Sequence, residues 1–140
     1  MSVDAVDREG ADLLDRFERA EFGEAGFPHV DHVRVLWELL RRHRPEAALS
    51  RFRDGLKQLT RVLGAEAKYH ETKTWAFFLL IYERYLGLPR DQGWADFAAA
   101  ATDLLASGRT PLLRFYDAAT LESDAARLAF RMPTKAAPGP

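Results

Sequence analysis

Cysteine is absent from this chain of 140 residues, and neither sign of charge is in clear excess. Without cysteine the protein forms no disulfide and has no thiolate nucleophile or iron–sulfur cluster. Any metal would need His, Asp or Glu ligands, which suit a divalent ion such as Zn, Fe or Mn. The net charge is −1, from 20 Lys and Arg against 21 Asp and Glu. This balance argues against nucleic acid as a partner, because nucleic-acid-binding domains usually carry a basic excess.

Long apolar runs are also missing. The most apolar run, residues 75–82, covers eight positions, whereas a membrane-spanning helix needs about 20. The N-terminal segment is acidic and has no apolar core, so it does not resemble a signal peptide. We therefore expect a cytoplasmic protein with no membrane contact.

Valine and isoleucine are scarce, whereas leucine, alanine, arginine and glutamate are abundant. Proline and glycine fall between segments with helical periodicity, which is typical of helices joined by short loops. The sequence predicts an all-α fold: a compact single-domain bundle of five to seven helices over residues 1–132, with a central apolar helix at about 69–86. Residues 133–140 are predicted to be a disordered tail. The predicted helical segments are about 10–22, 31–43, 45–63, 69–86, 94–107, 111–116 and 123–130.

Three of the four histidines lie in two short segments. His29 and His32 are three residues apart, so a helix that covers both places them on one side, where such a pair can bind one metal ion. His70 lies at the start of the predicted 69–86 helix. If the starts of these two helices meet, His29, His32 and His70, together with Glu71, form a candidate divalent metal site for Zn, Fe or Mn.

The same segments support functions without a metal. His32 and His70, with Thr74 one helical turn after His70, are candidate acid–base residues, because histidine titrates near neutrality. Three further side chains are candidates for binding a small anionic substrate: Arg34, Lys68 and Thr72. Ordinary structural roles, such as a backbone carbonyl partner for each imidazole, remain open.

We therefore predict a small-molecule enzyme or binding protein with a histidine-rich polar site at the N-terminal ends of two helices, and leave open whether it catalyses a reaction. The alternative is a non-catalytic helical interaction module or oligomerising accessory protein, such as a homodimer formed through an exposed apolar helix face. Convergence of the three histidines within roughly 5 Å of one another in one cavity, close enough to share a ligand, would favour the first function.

The two segments read H-x-D-H-x-R at 29–34 and K-Y-H-E-T-x-T at 68–74. With these segments, the chain resembles a family of small bacterial all-helical proteins that have no assigned activity. The closing segment at 111–133 is also similar to the end of that family. The resemblance implies that the two polar segments belong to one site, and it adds no reaction.

Overall fold

The computed structural model describes residues 3–22 and 26–135, with side chains from residue 8 onward. Over those residues the chain is all-α, as predicted, and contains no strand. None of the described helices is long and apolar enough to cross a membrane. The α-helices are α1 Val3–Glu18, α2 His29–Arg42, α3 Pro45–Val62, α4 Glu71–Leu86, α5 Trp94–Ala100, α6 Thr102–Ala106, α7 Ala118–Leu121 and α8 Asp124–Leu128, and two 3-10 turns are η1 Glu66–Lys68 and η2 Thr110–Arg114.

Two helices share the centre of the bundle. α4, the predicted central helix, packs against α2, α3, α8 and η2, while α2 packs against α1, α3, α4 and α6. Side chains of α2 such as Val33, Leu36 and Leu39 are completely buried. The last turns of α4 leave Leu79 and Leu86 exposed, so this helix is enclosed mainly at its N-terminal end.

The helix starts bring the histidines to the ends of α2 and α4. α2 begins at His29, directly after Pro28, so it covers both His29 and His32. The fixed backbone of proline suits the position before the first helical turn. α4 begins at Glu71, and His70 is its N-cap residue. α3 ends before Gly64, which has φ +67° and so supplies the left-handed turn expected of a glycine.

The predicted 94–107 helix is divided in two. Ala101, between α5 and α6, has φ −124° and ψ 33°, which lies outside the helical region. Arg84 of α4 donates hydrogen bonds to the carbonyl of Ala100 at 2.8 Å and to the carboxylate of Asp103 at 2.9 Å. The guanidinium thus gives a hydrogen-bond partner to a carbonyl at the end of α5. Because of this division, the described residues contain eight α-helices.

The start of the predicted disordered tail is held against η2. The hydroxyl oxygen of Thr134 accepts a bond from the Asp117 N–H at 2.8 Å, and the Lys135 N–H donates to the Phe115 carbonyl at 2.9 Å. These contacts make residues 133–135 part of the folded unit. The rest of the predicted tail, residues 136–140, lies outside the described residues.

A row of rings connects the α1–α3 contact to the start of α2. Phe17 of α1 is fully buried, and its ring centroid lies 5.2 Å from that of Phe27 and 5.7 Å from that of Phe52. The ring of Phe27 in turn stacks on His32 at 4.1 Å. Gly55 of α3 faces Phe17, and a Cβ atom at Gly55 would overlap the ring. The position of His32 therefore depends on close packing between α1 and α3.

Candidate ligand-binding cavity

The three histidines predicted to form one site line a single cavity of about 360 Å³. The imidazole centroids of His29 and His32 are 6.2 Å apart. The apolar part of the remaining lining is Phe52, Leu56, Phe77 and Leu112. Its other uncharged residues are Thr60, Tyr69, Thr74 and Gly108, and its cationic side chains are Lys68, Lys73 and Arg109. Among the described lining residues there is no carboxylate. The cavity is thus an aromatic pocket with imidazoles in its wall and cations among its lining residues.

His29 is fixed by a backbone carbonyl. Its Nε2–H donates to the oxygen of Leu104 at 2.7 Å. Since a carbonyl only accepts, the proton of the neutral ring is on Nε2 and Nδ1 carries a lone pair. A Cβ atom at Gly108 would lie 3.0 Å from Cε1 of His29, so the absence of a side chain at this glycine lets the backbone approach the ring.

His32 has the same tautomer. Its Nε2–H donates to the carbonyl of Phe27 at 3.1 Å, which leaves Nδ1 as an acceptor. Burial is the largest cause that lowers the pKa of His32 to about 4. The neighbouring charge of His29 acts in the same direction, and the hydrogen bond to Phe27 opposes it. Near pH 7 this imidazole is therefore neutral.

His70 differs from the other two because both of its ring nitrogens are engaged. Nδ1 accepts from the Lys73 N–H at 3.0 Å and so caps α4, while Nε2–H donates to the carbonyl of Leu121 at 2.7 Å. Burial is the largest cause of a lowered pKa at His70. The hydroxyl of Thr74 donates to the carbonyl of His70 at 2.7 Å. Of the predicted acid–base residues, only His32 keeps a ring nitrogen for a ligand.

Replacing His70 with alanine is expected to lower the free energy of unfolding by about 1–2 kcal/mol, because the helix cap and the bond to α7 are both lost. Asparagine at this position should recover part of the loss, since its side chain can cap α4 but does not reach Leu121. Urea unfolding of the two variants and the parent protein measures this. Equal loss in both variants would show that the cap contributes nothing.

Glu71 and Thr72, two further candidates, face away from the cavity. The carboxylate of Glu71 accepts two bonds from Arg53 at 2.7 and 2.9 Å and one from the Tyr69 hydroxyl at 2.9 Å. The Arg53 bonds are the largest cause of its lowered pKa, about 2. Thr72 is completely buried, donates to Ala129 at 2.9 Å and accepts from the Arg131 N–H at 3.0 Å. Both side chains tie α4 to neighbouring segments.

The two candidate anion-binding cations are separated by the fold. Lys68 lines the cavity, is exposed, and has no carboxylate within ion-pair distance among the described residues. Arg34 lies outside the cavity lining. Its guanidinium is 5.4 Å from the ring centroid of Trp94, and its Nε is 3.9 Å from Glu38. Glu38 is completely buried and also pairs with Arg41 at 3.5 Å and with Arg42.

The predicted set of four metal ligands is not assembled. In residues 3–22 and 26–135, no group of three or more His, Asp or Glu side chains is placed to hold a metal ion. His29 and His32 each offer one nitrogen, His70 offers none, and the oxygens of Glu71 are bound to Arg53. The donors present therefore do not fit the predicted metal site.

Several lining residues were not among the sequence candidates. Gly108 and Arg109 come from the loop before η2, about 80 residues after His29, and no local pattern connects them to the histidines. Phe52 and Phe77 have the spacing of ordinary core residues in their helices. Their place in the cavity follows from how α3 and α4 cross α2.

A second depression of about 430 Å³ lies along α4 and shares Leu112 with the cavity. Its described lining contains no charged side chain: Leu49, Trp75, Ala76, Leu79, Leu80, Leu112, Phe115, Tyr116, Phe130, Met132 and Pro133. The side chain of Met132 is 74% exposed. This apolar groove is the exposed apolar surface that the alternative function requires.

Comparison with known proteins does not assign the chain to a family. No protein-family model, curated protein or solved structure matches it. The resemblance suggested by the segments at 29–34 and 68–74 stays a prediction.

Proposed function

We propose that this protein binds a small organic molecule in the histidine-lined cavity. The observation that carries the proposal is the meeting of His29 and His32 with aromatic walls in one space of about 360 Å³. Small-molecule sites usually have volumes of about 300–1,000 Å³, mostly apolar walls and a few placed polar groups. The apolar walls would supply affinity, and the imidazoles would orient the ligand.

The histidine cavity favours this function over the interaction module. Placing His32 in a largely buried position disfavours its charged form, as its lowered pKa of about 4 records. A surface that only associates with another helix has no need for a neutral imidazole with a free acceptor nitrogen among apolar walls. The apolar groove is the surface that the module, or the expected homodimer, would use, so a test must separate the two depressions.

If the bound molecule is a substrate, His32 is the proposed general base. Its Nε2–H is held by Phe27 at 3.1 Å, so Nδ1 is positioned to accept a proton from a ligand hydroxyl. Thr74 and His70 would support the wall, because their polar atoms are engaged with each other and with the backbone. Arg34 and Thr72 are not part of this proposal.

Titration with indole, phenol and benzoate, followed by ¹H–¹⁵N NMR, tests the proposal. We expect shift changes centred on His29, His32 and Phe77. Thr60→Trp, which places an indole in the cavity, should abolish them. Gln58→Trp is the matched control, since Gln58 is exposed on the same helix and does not line the cavity. No response to any compound, or shifts centred only on Leu79 and Met132, would overturn the proposal.

A further inference from the structure

The inner wall of the cavity presents two hydrogen-bond acceptors. The carbonyls of Leu104 and Phe27 fix the Nε2 tautomer of His29 and His32, so in the neutral rings both Nδ1 atoms carry lone pairs. No described protein group donates a hydrogen bond to either Nδ1. If these atoms were fully buried they would be unsatisfied, and neither is a buried unsatisfied atom. Both therefore remain accessible. A ligand that fills the cavity beside these two nitrogens must supply a hydrogen-bond donor, such as a hydroxyl or an N–H. Otherwise it leaves an acceptor unpaired.

The walls beside these acceptors suit a flat apolar ring. Phe77 meets His29 edge-on with centroids 5.1 Å apart, and Phe52 meets His32 edge-on at 6.4 Å. Leu56 and Leu112 complete this part of the lining. Aromatic rings favour edge-to-face and offset contacts at such distances, so an aromatic group would add contacts of the same kind.

The charged lining residues favour a negative group. Lys73 and Arg109 share the single carboxylate of Glu122, at 3.4 and 3.3 Å, and Lys68 has no carboxylate partner among the described residues. Three cations and one carboxylate leave an excess of positive charge here. A ligand carboxylate would be attracted to Lys68, whereas an ammonium group would be repelled.

We infer that the ligand is a small aromatic carboxylic acid that carries a hydroxyl or N–H donor at the end away from its carboxylate. The donor would bind Nδ1 of His29 or His32, the ring would lie between Phe52 and Phe77, and the carboxylate would pair with Lys68. This inference rests on the proposed function, because it specifies the ligand of the same cavity. Simple compounds of this class are 4-hydroxybenzoate and the longer 3-(4-hydroxyphenyl)propionate.

Calorimetric titrations at pH 7.5 test the inference with five probes: the two hydroxy acids, benzoate, phenol and 4-hydroxybenzylamine. We expect the better hydroxy acid to bind about tenfold more tightly than benzoate or phenol, because each of these lacks one polar contact. The amine should not bind. Lys68→Ala should remove the preference for the acid over phenol, whereas Arg61→Ala, a control at an exposed arginine of α3, should keep it.

The preference for the hydroxyl group should be lost in His29→Phe or in His32→Phe, whichever removes the acceptor that the ligand uses, and a preference retained in both variants would overturn the inference. As a second measurement that needs no variant, long-range ¹H–¹⁵N spectra of the parent protein should show the Nδ1 resonance of His29 or His32 shifting when the hydroxy acid binds, and not with benzoate. Binding of all five probes without discrimination would overturn the inference and leave the proposed function standing. Absence of binding by all five, together with no NMR response to indole, would overturn both.

Discussion

Replacing Gly55 with alanine is expected to lower the free energy of unfolding by about 3 kcal/mol, at the upper end of the usual cost of overpacking a core. Alanine has the higher helix propensity, so an exposed site would gain stability from this change. At Gly55 the added Cβ would overlap the ring of Phe17. That ring is fully buried and in contact with Phe27 and Phe52, so it cannot turn into solvent to relieve the overlap. The helices α1 and α3 would have to move apart.

Gly87→Ala is the matched control. Gly87 follows α4 with φ −80° and ψ −2°, a conformation that alanine adopts readily, and the nearest atoms to its added Cβ lie at 3.6 Å or more. We expect this variant to be neutral or more stable by up to about 0.5 kcal/mol, because alanine restricts the unfolded chain. Urea unfolding of both variants gives the comparison, and a stable Gly55→Ala protein would contradict the close α1–α3 contact.

Gly55→Ala should also affect ligand binding, although Gly55 does not line the cavity. Displacing Phe17 moves Phe27, which stacks on His32 at 4.1 Å and accepts its hydrogen bond. The NMR titration with indole, repeated on folded Gly55→Ala protein, should therefore show weaker binding. Unchanged binding would mean that this row of rings does not position the cavity.

Three of the four long helices were predictable because local signals mark them, whereas the first, predicted at about 10–22, spans Val3–Glu18. Pro45 marks the start of the third helix and Gly64 marks its end. The i, i+3 spacing of His29 and His32 places both on one side of α2, because this helix covers both residues. The break at Ala101 was not predictable from residues 94–107, which are rich in alanine. It is accompanied by bonds from Arg84, a residue on another helix.

The candidate site was predictable only in part. His29, His32, His70, Lys68 and Thr74 all line the cavity, as the two segments suggested. Contacts between distant segments determine the rest: the oxygens of Glu71 bind Arg53 of α3, and the hydroxyl of Thr72 binds the backbone after α8. Arg34 follows His32 by only two residues, and that spacing places it on a different side of the helix.

Acidification is expected to destabilise the protein through His32. The folded pKa is about 4, below the ordinary value of 6.5 that applies to the unfolded chain. Between these values the unfolded state binds more protons, so the stabilisation is complete above pH 6.5 and is lost as pH falls towards 4. This one group should remove about 2–3 kcal/mol from the free energy of unfolding between pH 7.5 and 4.5.

Urea unfolding at pH 7.5, 6.5, 5.5 and 4.5 measures this loss, and His32→Phe identifies its source. The variant keeps a ring against Phe27 but cannot be protonated, so its stability should fall by about 2–3 kcal/mol less over the same range. His70, whose pKa is also lowered, remains in both proteins and accounts for part of the residual decline. The pKa of Glu71 is about 2, so most of its contribution is lost at lower pH.

The acid sensitivity also bears on the ligand. A ligand hydroxyl that donates to Nδ1 stabilises the neutral imidazole and lowers its folded pKa further. A saturating hydroxy acid should therefore raise the stability near neutral pH and make its loss steeper as pH falls towards 4 and below. Benzoate carries no donor, so at equal occupancy it should leave the pH dependence closer to that of the ligand-free protein. Parallel pH profiles with and without the hydroxy acid would show that the ligand does not reach His29 or His32. A difference that disappears in His32→Phe would place the donor at His32.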